Sequence, residues 1–508
     1  MDHQSEVAMP DGRGAADETS PLLNASPSEA SLEIAKHDTA APYFAVAREE
    51  ARWMATSSSL TALTGVLEVS FLFVNIMSVS HLGSRELAAM ALAVSLLVVT
   101  VIVPGVGIMS ALETFCSTAF TASRDKTMVG LHLQRGLVAG ATLLALATPI
   151  LWNSEWILLL LRQDPAIAHL SGVYLRIMTL SVCPWLAFEA CKCYLQAQEI
   201  MHAGTLVVLA VLPIHVAANF LLVRSPTYGI GFVGAPIVTV MSDWLLLAGI
   251  LLFIRVKQVR ETWGGWDARV LGTMYEFYRL ALPSIVATYS GWLAFEVVVL
   301  CAAYFGEKQV AGQAILFNTL TIIFELNCGL GYAMTARVGN LIGAAKPRQA
   351  RIAADMAYAA SVLVGVLSML FLLFAGRWWI SVYTTDPDVA REAAKLVPLA
   401  CVFIVSDSMN AMGGAILRGL GRQNVSAVTY AVGMYCCAGP LGAFLAYRLR
   451  MEVVGLWGGL CVGVLVSSTS QLLYVKLCVD WADEVRRCLE RLQRTAGRTN
   501  RDSPADSA

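Results

Sequence analysis

The chain has 508 residues, 57 % of them hydrophobic and 14 % charged, with a formal net charge of −1. Soluble domains carry roughly 25 % charged residues, so this composition is that of a protein whose solvent is the bilayer. The charge balance and the lack of a basic aromatic patch exclude a nucleic-acid binder, and twelve scattered cysteines without a CxxC pair point away from a zinc site or a disulfide framework.

Residues 1–52 are rich in Ser, Ala, Pro, Asp and Glu, with no hydrophobic segment of the signal-peptide kind. They read as a disordered cytosolic tail. Within them, Glu18-Thr19-Ser20-Pro21-Leu22-Leu23 has the form of an acidic dileucine sorting signal for vacuolar or lysosomal delivery, a pattern short enough to arise by chance.

Twelve apolar runs follow, at 60–79, 87–110, 133–152, 167–188, 203–223, 232–254, 277–304, 310–335, 354–375, 393–416, 425–447 and 453–477. Each is about the ~20 residues that cross the hydrocarbon core, so the predicted class is an all-α membrane protein. Residues 53–256 form an N-lobe of spans 1–6, residues 257–276 a cytosolic loop, and residues 277–481 a C-lobe of spans 7–12. Lys and Arg in the short loops favour both termini in the cytosol, leaving vacuole and plasma membrane open as destinations. In the tail at 482–508, Val485, Cys488 and Leu492 make one stripe, predicting an amphipathic helix lying on the membrane or on the protein.

The halves repeat. Gly83 matches Gly306, Asp164-Pro165 matches Asp386-Pro387, Tyr194-Leu195-Gln196-Ala197 matches Ile416-Leu417-Arg418-Gly419, and Gly231/Gly234 match Gly455/Gly458, at offsets of 223, 222, 222 and 224. Six spans per copy is an even number. The copies therefore share one topology, related by a pseudo-twofold axis along the membrane normal and enclosing a central cavity.

Acids inside spans are expensive and mark pathways. On span 7, Tyr289, Trp292 and Glu296 share a face; on span 8, Asn318, Thr321 and Glu325 fall on one stripe. Together they predict a polar pocket. Glu68 with Thr61, Thr64 and Asn75 makes a polar stripe on span 1, Asp407 pairs with Asn410 on span 10, and Asp243 is a further intramembrane acid. Tyr289, Trp292, Phe295, Phe317 and Phe324 offer ring faces to a cation, although packing alone also accounts for such rings. A carboxylate in a low-dielectric cavity disfavours its charge and takes up a proton, while an approaching cation favours the charge, so proton and cation compete.

Several stretches resemble one family: Ser80-His81-Leu82-Gly83, Ala111-Leu112-Glu113-Thr114-Phe115-Cys116, Tyr194-Leu195-Gln196-Ala197-Gln198, Thr335-Ala336-Arg337-Val338-Gly339-Asn340 and Arg418-Gly419-Leu420-Gly421-Arg422-Gln423. In order on twelve spans, from Leu60 to Trp481, they resemble the multidrug and toxic compound extrusion (MATE) transporters of the eukaryotic, fungal-like branch. That resemblance implies two six-helix bundles in a V, alternating access, and export of small organic cations against protons or sodium. It implies no cofactor, no metal, no enzyme activity, and a monomer in the lipid bilayer. It also implies that Glu296, in Trp292-Leu293-Ala294-Phe295-Glu296, is the proton-coupling acid; Glu325 and Asp407 are further candidates by their place inside spans, not by the resemblance. The predicted substrate-binding residues are Tyr289, Trp292, Phe295, Asn318, Thr321, Glu68 and Asn75. Asn75 departs from the aspartate of many prokaryotic members, and Glu68 and Glu325 are acids where relatives carry neutral residues.

Other readings compete. A lipid-linked oligosaccharide flippase would want several basic residues at midspan, where Arg176 is the main one. A major facilitator carrier lacks its Gly/Arg loop at 121–133, and a membrane enzyme lacks any HExxH or GxSxG motif.

Overall fold

A computed structural model describes residues 42–501 apart from 124, 226, 258–260 and 273, with the side chains of 303 and 492–501 also excepted. Backbone polar groups have no water partners in lipid, so a spanning chain satisfies them within helices. The described residues follow that rule, with no strand among them. The spans are α1 (Tyr43–Ser80), α2 (Ser84–Ala122), α3 (Thr127–Trp152), α4 (Pro165–Ala197), α5 (His202–Arg224), α6 (Gly231–Val256), α7 (Met274–Ala302), α8 (Glu307–Gly343), α9 (Pro347–Tyr383), α10 (Pro387–Gly419), α11 (Gln423–Arg448) and α12 (Glu452–Cys478). A last helix, α13, covers Trp481–Arg501. Eleven of the twelve are apolar enough to cross by composition alone. The twelfth, α10, carries the charges Asp388, Arg391, Glu392, Lys395, Asp407 and Arg418, and packs against α8, α9 and α12.

The sequence repeat is a repeat of helix starts. Gly83 and Gly306 precede α2 and α8 with φ of 153° and 121°, a region that a Cβ disfavours. Asp164 and Asp386 cap α4 and α10, each followed by Pro at the first helical position. The Asp164 carboxylate accepts from the amides of Ala166 (2.9 Å) and Ile167 (3.2 Å), and that of Asp386 from Asp388 (2.8 Å).

Two differences from the sequence reading, and one alternative that it left open, matter for the site. Residues 43–52 belong to α1 and are not tail, because Val46 and Ala47 bury against Ile352 and Met356 of α9. Helix α2 runs twelve residues beyond the apolar run that ended at 110, because its last turns are buried against the other bundle, where Thr114 and Thr121 donate to the Arg418 and Asn340 carbonyls. And α13 lies on the protein: Val485, Cys488 and Leu489 are buried, while the Leu492 side chain is outside the described residues. The dileucine-like stretch also lies outside them.

One apolar core runs from Val79 to Ala281 and a second from Ala294 to Val464, the interiors of two bundles. A third belongs to both halves. It joins Met54 and Ala122 to Leu330, Val338 and Ile342, and takes in Trp481, Val485 and Leu489 of α13. All these residues lie at the end of the molecule where α1 begins and α12 ends, called here the terminal face.

Candidate functional site

Between the bundles is a cavity of about 270 Å³, walled by α2, α4, α7, α8, α10 and α11. Its α7 wall is built at helical spacing from Ser284, Ala287, Thr288, Gly291, Trp292 and Phe295. Facing it, α8 supplies Phe317, Thr321, Phe324, Glu325 and Cys328, and α10 supplies Phe403, Asp407 and Asn410. The Phe295 ring stands edge-on to Phe317 (5.4 Å) and Phe403 (5.6 Å), fixing an aromatic wall.

Glu325 and Asp407 are half-buried in this wall, and among the described residues neither carboxylate has a hydrogen bond or an ion pair. Glu325 reaches the opposite bundle: its Oε2 is 3.2 Å from where a Cβ on Gly65 of α1 would stand. The remaining charges are arranged differently. Lys192 of α4 sits between two carboxylates, Glu68 of α1 (2.7 Å) and Glu189 of its own helix (2.8 Å). The Oε2 of Glu113 on α2 makes an ion pair with Arg418 of α10 at 3.8 Å, beyond hydrogen-bond reach, and has no hydrogen-bond partner among the described residues. Lining the cavity are four acids, Glu113, Glu189, Glu325 and Asp407, against the bases Lys192 and Arg418, so its formal charge is negative.

Of the expected site residues, Trp292, Phe295, Thr321, Glu325 and Asp407 line the cavity. The others stand elsewhere. The Tyr289 hydroxyl donates to the Val99 carbonyl across the bundle boundary. Asn318 is exposed on α8. Glu296 is exposed on α7, off the cavity wall and flanked by the exposed Leu293, Val297 and Leu300. A straight helix turns its residues steadily, and the wall follows 284, 288, 291 and 295, which leaves 289 and 296 at its edge. Glu68 is behind the wall, as a partner of Lys192. Asn75 is buried in a network of the first bundle, donating to Thr239 (2.9 Å) and accepting from Asn219 (3.0 Å). Arg176 is exposed and paired with Glu155 at 2.9 Å, so it puts no base at midspan.

Sequence reasoning missed Glu113, Lys192 and Arg418 as cavity residues. Glu113 fell three residues past the apolar run assigned to span 2, and the other two read as loop charges. For Glu113 and Arg418 the signal available was their place inside stretches already singled out, Ala111–Cys116 and Arg418–Gln423; Lys192 lies in none of those stretches, two residues before Tyr194.

Toward the terminal face the cavity is stopped by hydrogen bonds that cross between bundles. Gln423 donates to Thr114 (2.9 Å), and Thr114 donates to the Arg418 carbonyl (2.7 Å). Further along, Thr121 donates to the Asn340 carbonyl (2.8 Å), and Thr61 to that of Gly329 (2.6 Å).

Comparison with known proteins places this architecture. Residues 61–221 and 283–444, one segment per half, match the MatE family model. An uncharacterized transporter of Schizosaccharomyces pombe is 33 % identical over 422 residues, 82 % of this chain and 77 % of that one. Multidrug and toxin extrusion protein 2 of Mus musculus is 30 % identical over 448 residues, 87 % of this chain and 77 % of that one. Among solved structures, the eukaryotic MATE transporter AtDTX14 superposes with a TM-score of 0.81 at 24 % identity, covering 89 % of this chain and all of that one.

Proposed function

Since the chain belongs to the MatE family of multidrug and toxin extrusion transporters, we propose that it exports organic cations by exchange for protons, in alternating access about the cavity between its bundles. The observation that carries this reading is the pair Glu325 and Asp407: two carboxylates in an aromatic cavity, with no hydrogen-bond or ion-pair partner among the described residues. A buried charge without a partner is costly, so each carboxylate takes a proton or a cation. The rings of Trp292, Phe295, Phe317 and Phe403 suit an organic cation, each face contributing ~0.5–2 kcal/mol. Lys192 does not offset them, because Glu68 and Glu189 already neutralise it.

The coupling follows from competition. Cation and proton exclude each other at the same carboxylates, and exchange results when each occupant favours a different arrangement of the bundles. With the terminal face toward the cytosol, the arrangement described here is shut on the cytosolic side. Glu296 enters the proposal as a rim acid, one helical turn from Trp292, exposed outside the cavity where cargo passes. One chain suffices for this cycle, in a vacuolar or a plasma membrane.

The test is uptake by purified protein in sealed liposomes under an imposed pH gradient, then under an imposed sodium gradient, with a fluorescent organic cation as probe. Uptake that follows the pH gradient and stops with an uncoupler supports proton exchange. Uptake that follows only sodium overturns the proton assignment, and no uptake under either gradient overturns the cation reading.

A further inference from the structure

At the terminal face one guanidinium grips the opposite bundle twice. Arg337 of α8 makes a forked pair with Glu50 of α1, Nε at 2.9 Å and Nη2 at 2.7 Å, and its Nη1 reaches Glu199 at 3.0 Å. The Trp53 ring of α1 covers it, 4.9 Å from the guanidinium carbon. Glu50 is 3 % exposed and Arg337 14 %, so the cluster is withdrawn from water. It is not part of the cavity, and nothing in the exchange chemistry uses it.

Glu199 sits in the turn between α4 and α5 with φ of 64°, the left-handed region that a side chain disfavours. The repeat supplies the comparison. Its counterpart, 222 residues on, is Gly421 with φ of 70°, the residue such a turn ordinarily takes. In the first bundle the same turn carries a glutamate whose carboxylate meets Arg337. Such a conformer persists only where its surroundings over-determine it, and the pairing with Arg337 is one such constraint here.

We propose that Glu199, Arg337 and Glu50 form the latch of the terminal face, a positioning device whose grip sets how readily the bundles part there. The proposal rests on the alternating-access reading, in which the face must open once per cycle. While the latch holds, the carbonyl-to-hydroxyl bonds of the seam are in register. When it releases, those bonds are exposed to water.

Glu199→Gly is the informative variant. It suits the left-handed turn better than the natural residue, so it does not threaten folding, and it leaves Arg337 paired with Glu50, so no charge is orphaned. Glu199→Gln keeps the side chain and removes only the charge. Hydrogen exchange read by mass spectrometry on the full chain in liposomes compares both with wild type, beside thermal unfolding. The expected result is exchange on the order of tenfold faster at 116–122 and 338–345 in both variants, unchanged exchange in α5 and α12, and a melting temperature for Glu199→Gly no lower than wild type. Seam exchange within twofold of wild type overturns the latch. So does a rise spread through both bundles, which would be ordinary loss of stability. If the protein moves no cation, the export reading falls while this comparison still decides the latch.

Discussion

Replacing Gly329 with Ala tests how closely the two bundles must approach. Gly329 of α8 lies against Ala62 of α1: a Cβ there would stand 2.8 Å from the Ala62 Cβ and closer still to that residue's backbone. Carbon atoms in contact sit ~3.5–4.0 Å apart, so the helices must separate by about 1 Å. Overpacking of this kind costs about 1–3 kcal/mol. The Thr61 hydroxyl bond to the Gly329 carbonyl, 2.6 Å long, is stretched with it, adding about 1 kcal/mol. A total of about 2–4 kcal/mol falls on the closed terminal seam and not on the interior of either bundle, and lowers its population roughly 30- to 1,000-fold relative to the parted arrangement. The assay is labelling of a Thr121→Cys reporter by a membrane-impermeant maleimide from the terminal face, with the exposed Cys183, Cys436 and Cys478 replaced by Ser. Thr121 bonds to Asn340 across the seam and is half-buried, so its labelling reports parting. A Gly329→Ala protein that labels within twofold of the parent, with normal transport, would falsify the claim that this contact holds the bundles together.

Other substitutions separate the acids and the scaffold. Glu325→Gln and Asp407→Asn are each expected to weaken binding of an organic cation by tenfold or more, about 1.4 kcal/mol, measured by quenching of tryptophan fluorescence in the folded protein. Glu296→Gln, on a residue outside the cavity, is expected to slow uptake driven by the pH gradient while leaving that affinity within about threefold; an equal loss of affinity would put Glu296 inside the binding site. Lys192→Met strands Glu68 and Glu189 and is expected to cost about 3–5 kcal/mol of stability. Adding Glu68→Gln and Glu189→Gln should recover most of it, and a melting curve without recovery would refute the pairing. Gln134, buried on α3, holds the inter-lobe segment by donating to the Gly265 carbonyl (2.6 Å) and accepting from the Asp267 amide (3.0 Å). Gln134→Ala should therefore lower stability by about 1–3 kcal/mol, and an unchanged melting temperature would show that the segment does not need this anchor.

The composition, the twelve runs and the offset near 222 were enough to set the class of fold, because hydrophobic length and helix-capping residues act locally and leave their mark in the order of the chain. Asp164-Pro165 and Asp386-Pro387 start a helix wherever they stand. The same local rule made Trp292 and Phe295, or Thr321 and Glu325, neighbours on a face. What it left open was the direction of each face. Tyr289 and Glu296 share a stripe with Trp292 on paper, yet the packing of α7 on α2 and α11 turns the wall toward Gly291 and Phe295 and leaves Glu296 at its edge. Glu113 and Arg418 come together only because α2 and α10 continue past their apolar runs and meet. The grip of Arg337 on Glu50 and Glu199 spans 287 and 138 residues of sequence. Periodicity along one helix says nothing about rotation against another; that is set by side chains from distant segments competing for the same space.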